Sequence, residues 1–351
     1  NTWIIGENLL LSPLKEDKPS WRTEMAAERG MRVFPKANYL RVFERDENRR
    51  IIREIYPGDY TREEAIAKIE KGGLTLDLRK RFAEQYGEHI LAYDLADEPG
   101  PEHIHNYMMV QSIFREIDPH HPAVTILNFS RTEFLPYMPV YYGDEYPIRK
   151  TGRDPWSVFD VVRFATTRTP GPVWVMLPAF GGLPDYTWHL PTGPEMRVML
   201  WNAIAAGCDG ITFHGSFSPP NWRVNKYYFY TAIDSFGAKT PCWDAMVQVG
   251  EQITAIGPQM LDCEVDTSEA FSVQCEQLEA YGERYTGPAV RLGVLKQPGE
   301  DGGRFLVVAN QHLDSPQQAR LLAREAAVSD GAGLVALTEE GQPVPAGEPS
   351  D

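Results

Sequence analysis

Hydrophobic residues occur along this chain in short runs, which are separated by longer stretches with helical spacing. Seven of the runs predict β-strands. Their ranges are Thr2–Leu10, Met31–Tyr39, Ile90–Ala96, Ala123–Asn128, Pro139–Gly143, Val173–Phe180 and Gly210–His214. Amphipathic spacing predicts helices at Leu74–Glu88 and Glu102–Ile117. Two capping boxes, Thr61 to Glu64 and Thr192 to Glu195, mark the starts of two further helices.

Strands that alternate with helices predict a mainly parallel sheet covered by helices. Seven such units in about 215 residues favour a (β/α)8 TIM barrel, class α/β, over an open doubly wound sheet. One strand is then missing. Because the sequence opens in a strand, we assign Thr2–Leu10 as the second strand and expect the first to precede it. Alternatively, Thr2–Leu10 is the first strand and a later strand lacks a clear pattern.

The hydrophobic pattern changes after Gly257 from helical spacing to strict alternation. The alternating runs are Ala270–Leu278, Val290–Leu295, Phe305–Ala309 and Leu334–Thr338. Turns rich in glycine, proline and aspartate separate them. We therefore predict two domains, a barrel at residues 1–257 and a small antiparallel β-sandwich at residues 258–351 that is incomplete at its C-terminal end.

The charge balance narrows the classes of partner. Acidic residues number 49 and basic residues 34, which gives a net charge of −15. Nucleic acid and anionic membrane surfaces are therefore not expected as partners. No apolar run approaches the roughly 18 residues of a membrane span. We expect a secreted, periplasmic or cell-surface protein, although the sequence shows no targeting segment, and its oligomeric state stays open.

Four cysteines are too few for a disulfide scaffold. Cys263 and Cys275 either pair across two strands or are unrelated core residues.

In a barrel of this kind the active site lies at the carboxyl ends of the strands. The residues there are mostly carboxylates, amides and aromatic rings, which suit a neutral polyhydroxylated ligand such as a carbohydrate. The predicted substrate-binding residues are Asn8, Asn38, Asn128, Tyr146, Phe180, Trp188, His214 and Trp222. Among the histidines only His214 ends a strand, so we expect no catalytic metal. Dinucleotide and phosphate motifs are absent, so we expect no cofactor.

The strongest signal is the run Leu91–Pro99, in which an apolar strand ends in Asp97 and Glu98 before a proline. Here the chain resembles the TIM-barrel glycoside hydrolases of the large retaining clan that includes β-galactosidases and cellulases. In that clan the fourth strand ends in a glutamate acid/base, commonly as Asn-Glu or Asp-Glu followed by proline. The resemblance therefore implies that Glu98 is the general acid/base.

Further segments resemble the same clan in order and spacing. They are Asp118–Ala123, Gly143–Pro147, Val173–Gly181 and Met199–Phe213. The resemblance covers residues 1–220, and a trailing β-domain is usual in such enzymes.

The chain departs from the clan at the seventh strand, whose end carries the clan's nucleophilic glutamate. Here that strand ends in Leu177–Gly181 without an acid. The candidates for the second carboxylate are, in order, Asp144 and Glu145, then Asp185, then Glu7. Strands four and six are not neighbours, which favours the inverting separation of about 6.5–9.5 Å over the retaining one of about 5–5.5 Å.

A third mechanism is also open, in which Asp97 assists an acetamido group of the substrate while Glu98 protonates the leaving oxygen. The apolar neighbours Ala96 and Pro99 predict a partly apolar setting that raises the pKa of Glu98.

The sequence thus predicts a glycoside hydrolase that cleaves O-glycosidic bonds of oligo- or polysaccharides. The alternative is a barrel that binds glycans without cleaving them, and the missing glutamate favours it. Structural roles also stay open: Asp97 and Glu98 as a helix cap, and Asp144–Tyr146 as a solvated loop.

Overall fold

The computed structural model describes sixteen stretches of the chain. They are residues 4–5, 25, 27–35, 39–40, 42–47, 51–70, 75–149, 154–182, 188–215, 230–234, 236–260, 262–280, 285–299, 303–324, 335–337 and 343–345. The chain divides into two compact units. The first unit contains Asn1–Asp144 and Arg168–Trp174, and the second contains Glu145–Thr167 and Val175–Asp351.

The strands and the longer α-helices of the first unit have the following bounds. The strands are β1 (Ile4–Ile5), β2 (Arg32–Val33), β3 (Val42–Arg45), β4 (Ile51–Ile55), β5 (Tyr93–Asp97), β6 (Ala123–Asn128) and β7 (Tyr141–Asp144). The helices are α1 (Arg62–Ile69), α2 (Leu76–Tyr86) and α3 (Ile104–Ile117). The capping box at Thr61 is confirmed, because Thr61 and Glu64 exchange side-chain and backbone hydrogen bonds.

Parallel pairing links the strands of the first unit in chain order. β1 pairs with β2, β5 with β6, and β6 with β7. Val33 of β2 forms a parallel bridge with Ile90, just before β5, and the Asp94 N–H of β5 donates to the Pro35 carbonyl, just after β2, at 2.8 Å. The predicted parallel sheet is therefore confirmed.

The strands β3 and β4 form an antiparallel hairpin that the sequence pattern did not predict. Every residue of β4 is exposed. Consecutive isoleucines at Ile51 and Ile52 hide the alternation that normally reveals a strand.

The amino ends of β5 and β6 are tied together by Asp118, in the segment that resembles the hydrolase clan. Its carboxylate accepts hydrogen bonds of 2.8 Å from the Tyr93 hydroxyl and from His121 Nδ1. Burial raises the pKa of Asp118, but the hydrogen bonds from His121 and Tyr93 outweigh it and leave that pKa below its usual value. This network lies at the end of the sheet opposite to the predicted active site.

The second unit continues the same alternation and adds an antiparallel region. Its helices are α4 (Ser157–Thr166), α5 (Gly193–Ala205) and α6 (Pro241–Met260). Its first strands are β8 (Val173–Pro178, whose first two residues belong to the first unit), β9 (Phe180–Gly181), β10 (Gly210–His214) and β11 (Tyr230–Thr231). The capping box that begins α5 at Thr192 is also confirmed.

Hydrogen bonds within each unit extend the parallel order to β10. In the first unit the Tyr141 N–H donates to the Pro172 carbonyl at 2.9 Å. In the second unit the Glu145 N–H donates to the Met176 carbonyl at 3.0 Å, and the Ala179 N–H to His214 at 2.9 Å. The first unit thus has the order β5, β6, β7, with the start of β8 beside β7, and in the second unit β8 lies beside β10. Among the described residues no pairing joins β10 to β1, so barrel closure stays a prediction.

The C-terminal strands of the second unit pair antiparallel, as predicted. They are β12 (Glu264–Val265), β13 (Phe271–Cys275), β14 (Gln277–Ala280), β15 (Tyr285–Pro288), β16 (Val290–Lys296), β17 (Arg304–Asn310), β18 (Ala319–Ala323), β19 (Val335–Leu337) and β20 (Pro343–Pro345). Whether they form a sandwich is still a prediction. The predicted domain boundary at residue 257 also stays a prediction, and α6 runs through it.

All four cysteines are free thiols, so Cys263 and Cys275 do not pair. No helix in the described ranges is both long and apolar enough to cross a bilayer.

The sheet of β16 and β17 packs tightly against α5 in the second unit. A Cβ atom on Gly293 of β16 would lie only 1.9 Å from the Ala205 carbonyl oxygen of α5. Asn202 of α5 and Gln311, both fully buried, exchange side-chain hydrogen bonds of 3.0 and 2.9 Å. Leu295 of β16 and Val307 of β17 belong to the apolar cluster between this sheet and α5.

We expect Gly293→Ala to lower the free energy of unfolding by about 1–3 kcal/mol, as overpacking does. The Ala205 carbonyl belongs to a helix backbone and cannot rotate away. Chemical denaturation measures the effect. Gly257→Ala in α6 is the matched control, because its Cβ would meet Ile253 at an ordinary 3.7 Å and alanine favours a helix. Equal stability of Gly293→Ala and wild type would contradict the tight packing.

Candidate active site

Polar side chains meet at the carboxyl ends of β5, β6 and β7 in the first unit. Asn128 and Asp144 are register partners on β6 and β7. Asp97 is level with Ile126 of β6, and the Glu98 N–H donates to the Ile126 carbonyl at 2.8 Å. We call Asp97, Glu98, Asn128 and Asp144 the carboxylate edge. It lies where the active sites of parallel α/β barrels are found.

The backbone at Glu98 adopts a strained conformation. Its φ angle is 44°, in the left-handed region that residues other than glycine rarely enter. Pro99 adds to the strain, because a residue before proline prefers an extended backbone. The strand register also shifts between Asp94 and Asp97. Strain and strand irregularities of this kind cluster at functional sites.

The carboxylates of this edge differ in their exposure to solvent. Glu98 and Asp97 are exposed, whereas Asp144 is buried, with 4% of its surface accessible. The exposure of Glu98 does not fit the partly apolar setting that the sequence predicted, although its neighbours Ala96 and Pro99 are buried.

The strand β6 lies between the candidate acids Glu98 and Asp144. Adjacent strands lie about 4.7–4.9 Å apart, so the backbones at Glu98 and Asp144 are separated by about 10 Å. Side chains reaching across this gap fit the wider of the two carboxylate separations found in glycosidases, about 6.5–9.5 Å.

An aromatic cluster lies at the carboxyl ends of the strands in the second unit. It consists of Tyr146, Phe180, Trp188 and His214. The Phe180 ring is at the centre, with centroid distances of 5.3, 5.9 and 5.4 Å to Tyr146, Trp188 and His214 respectively. Phe180 itself is buried, so it supports the other three rings, which are partly exposed.

Gly215 allows the chain to pass closely over this cluster. Its φ angle is 66°, and a Cβ there would lie 2.7 Å from the Phe180 Cβ. Only glycine fits both conditions.

Glu145 belongs to the second unit and is directed towards α4. The Ser157 hydroxyl, at the first residue of α4, donates to the Glu145 carboxylate at 3.3 Å. Burial raises the pKa of Glu145, and the Ser157 hydrogen bond and the Arg149 charge offset this only in part. No sequence pattern pointed to Ser157 or Arg149.

Several predicted site residues lie outside the described residues, namely Asn8, Asn38 and Trp222, together with the alternative acids Glu7 and Asp185. Asn128 is described: it is exposed, and its side-chain oxygen accepts the Ser130 N–H at 3.0 Å. Within the described ranges, no group of three or more His, Cys, Asp or Glu residues is placed to hold a metal ion.

Comparison with known proteins shows similarity of fold. No protein-family model matches this sequence, and no curated protein matches it. Among solved structures, a β-galactosidase from Marinomonas ef1 is 10% identical with a TM-score of 0.52, over 75% of this chain and 56% of that one. At this identity the similarity shows a fold shared with a glycoside hydrolase.

Two further solved structures are similar with lower TM-scores. A β-galactosidase from Halorubrum lacusprofundi has a TM-score of 0.48 and 12% identity, over 70% of this chain and 52% of that one. A glycoside hydrolase family 5 structure from Bacteroides vulgatus has a TM-score of 0.43 and 14% identity, over 89% and 87%. The chain spans about half the length of the two β-galactosidases.

We expect Glu145→Gln to be more stable than the wild type at pH 7. The folded-state pKa of Glu145 is raised, so ionisation costs stability, and that cost grows as the pH rises from the unfolded pKa through the folded one. The difference should disappear below about pH 3, where the Glu145 carboxyl is protonated in both the folded and the unfolded chain. Denaturant unfolding at several pH values measures it.

Glu251→Gln provides the matched control for the loss of one carboxylate, because Glu251 lies exposed on α6. A Glu145→Gln variant that is less stable at pH 7 would show that the charged carboxylate stabilises the fold.

Proposed function

We propose that this protein is a glycoside hydrolase that cleaves O-glycosidic bonds of oligo- or polysaccharides. The observation that carries the proposal is the carboxylate edge, where Glu98 and Asp144 end two strands of the parallel sheet with one strand between them. Glycosidases need two such carboxylates on either side of the bond they cleave. The similarity of fold to glycoside hydrolases supports the same assignment.

Glu98 is the proposed proton donor. Its backbone is held in a strained turn, and its side chain is open to solvent and therefore to a substrate. Protonation of the glycosidic oxygen by Glu98 neutralises the leaving group while the bond to the anomeric carbon breaks.

Asp144 is the proposed base. It removes a proton from water, and the hydroxide so formed adds to the anomeric carbon on the face opposite to the leaving group. The separation of about two strand spacings leaves room for that water. Asp144 is placed before Glu145 because it ends β7 in the same unit as Glu98, whereas Glu145 belongs to the second unit and its carboxylate accepts from Ser157 of α4. Asp97 keeps the alternative role of assisting a substrate acetamido group.

The rings of the second unit are proposed to bind the sugar. Tyr146, Trp188 and His214 are partly exposed around the buried Phe180. Aromatic faces stack on the apolar faces of sugar rings, and hydroxyl and imidazole groups bond to sugar hydroxyls. We also propose a secreted, periplasmic or cell-surface location, because polysaccharides do not cross a cell membrane.

A second candidate function is glycan binding without cleavage. The observation that favours it is the end of β8 and β9, where Leu177–Gly181 carries no acid. The two functions differ in one result, since only the enzyme releases sugar.

We expect the wild type to release sugar from a panel of oligosaccharides and aryl glycosides. Glu98→Gln should lower kcat about 10²–10⁴-fold, the usual contribution of a general acid. The loss should be smaller for aryl glycosides with acidic leaving groups, which depart without protonation. Release of reducing sugar measures cleavage of the oligosaccharides, and release of nitrophenol measures cleavage of the aryl glycosides.

Glu133→Gln serves as the control for charge loss. Glu133 lies in the same unit after β6, is exposed and pairs with Arg131 at 3.9 Å, so its removal should leave kcat unchanged. If Glu98→Gln retains wild-type kcat on every substrate cleaved, Glu98 is not the acid. If a folded wild type binds glycans and cleaves none, the binding function replaces the enzyme.

A further inference from the structure

The strand that leads to Glu98 contains one extra residue just before its end. Asp94 of β5 is level with Val124 of β6, and Asp97 is level with Ile126. Three steps along β5 therefore match two steps along β6. An extra residue of this kind makes a β-bulge, and such bulges often lie next to active sites, where they redirect a side chain. We call residues 94–97 the β5 bulge.

The β5 bulge sets the position of Glu98 at the carboxyl end of the sheet. In a regular ladder that continued from Asp94, Ala96 would be level with Ile126 and Glu98 with Asn128. The extra residue holds Glu98 one position further back, which is about 3.3 Å along the strand. A shift by one residue also exchanges the face of the sheet on which a side chain lies. The bulge thus determines both the depth and the direction of the proposed proton donor.

The β5 bulge can also be recognised from the directions of two carbonyl groups. Within a strand, the N–H and C=O groups of successive residues face alternate neighbouring strands. The Tyr93 N–H donates to the residue before β6 at 2.9 Å, and the Asp94 N–H donates to the segment after β2 at 2.8 Å. A regular strand would therefore direct the Leu95 carbonyl towards β6 and the Ala96 carbonyl away from β6.

The structure shows the reverse arrangement. The Leu95 carbonyl accepts from the Tyr39 N–H, in the chain that follows β2, at 2.9 Å. The Ala96 carbonyl accepts from the Thr125 hydroxyl of β6 at 2.6 Å. Thr125 is completely buried, where a hydroxyl group needs a hydrogen-bond partner. Because the Ala96 carbonyl faces β6 through the bulge, this side-chain hydrogen bond belongs to the bulged register and not to the regular one.

The strained turn at Glu98 requires support of this kind. Its φ angle is 44°, and strained backbone persists only where the surrounding structure fixes it. Backbone hydrogen bonds between two parallel strands form in either register, so they do not by themselves select the bulge. The Thr125 hydroxyl adds a contact that distinguishes the two registers.

We propose that Thr125 is a positioning residue, whose hydroxyl group holds the β5 bulge in place and thereby holds Glu98 in its strained turn. The consequence for catalysis rests on the proposed function. The stabilisation of the bulge by Thr125 does not.

Two substitutions separate the hydroxyl group of Thr125 from its shape. Thr125→Val keeps the branched side chain but cannot donate, whereas Thr125→Ser keeps the donor and loses one methyl group. Both changes are small, so both variants should fold. Hydrogen exchange of the intact protein is then followed in residues 93–98. Exchange of residues 141–144 in β7 reports any general loss of stability in the same unit.

Relative to β7, residues 93–98 should exchange about two- to tenfold faster in Thr125→Val, as expected when one hydrogen bond is lost. In Thr125→Ser they should exchange at the wild-type rate. Thr166→Val is the control, because Thr166 donates to the Ala206 carbonyl at 2.8 Å within the second unit, and it should leave residues 93–98 unchanged. Wild-type exchange in Thr125→Val, or equally fast exchange in both Thr125 variants, would overturn the proposal.

Activity gives a second readout that a purely structural role would not change. Thr125→Val should lower kcat by up to about 10²-fold for glycosides with poor leaving groups, as a misplacement of about 1 Å does. The loss should be much smaller for aryl glycosides with acidic leaving groups, which depart without protonation. KM should stay close to the wild-type value, and Thr125→Ser should restore kcat.

The two readouts distinguish failure of the proposal from failure of the proposed function. If the wild type cleaves no glycoside, the proposed function fails, and exchange alone decides whether Thr125 holds the bulge. If glycosides are cleaved and the loss of kcat in Thr125→Val is the same for every leaving group, Thr125 does not position Glu98.

Discussion

Parallel backbone pairing in chain order is the constraint on which the rest of this structure depends. Because neighbouring strands run in the same direction, their carboxyl ends all meet at one edge of the sheet. That geometry brings residues 97, 98, 128 and 144 together from three separate segments. It also places the network of Tyr93, Asp118 and His121 at the opposite end, where it can stabilise the strands without disturbing the site.

The site residues cost stability, and the surrounding packing offsets that cost. Glu98 holds a left-handed backbone, and burial raises the pKa of Glu145. Features of this kind persist only where the rest of the structure fixes them. In the second unit that support includes the close packing of Gly293 on α5 and the paired amides of Asn202 and Gln311.

Much of the fold could be predicted from the sequence, because strand and helix signals are local. The capping boxes and the parallel order of the strands depend on neighbouring residues, and both are confirmed. The β3–β4 hairpin was missed, because its exposed isoleucines break the alternating pattern. Barrel closure and the sandwich stay predictions.

The site was only partly predictable, because sequence signals are local and a site also depends on contacts between distant residues. Position at a strand end pointed to Glu98 and Asp144 as candidates. Their environments depend on contacts distant in sequence, so the strained turn, the exposure of Glu98 and the contact of Ser157 with Glu145 could not be anticipated. The hydrogen bond from Thr125 to the Ala96 carbonyl joins residues 29 positions apart and leaves no pattern in the chain.

The most direct test of the central claim is the configuration of the first product. Proton NMR of the anomeric signal during hydrolysis separates the two stereochemical outcomes before the sugar mutarotates. An acid at Glu98 and a base at Asp144, with one strand between them, predict inversion of configuration. Retention would contradict this pairing, since it requires a nucleophilic carboxylate or acetamido group close to the anomeric carbon.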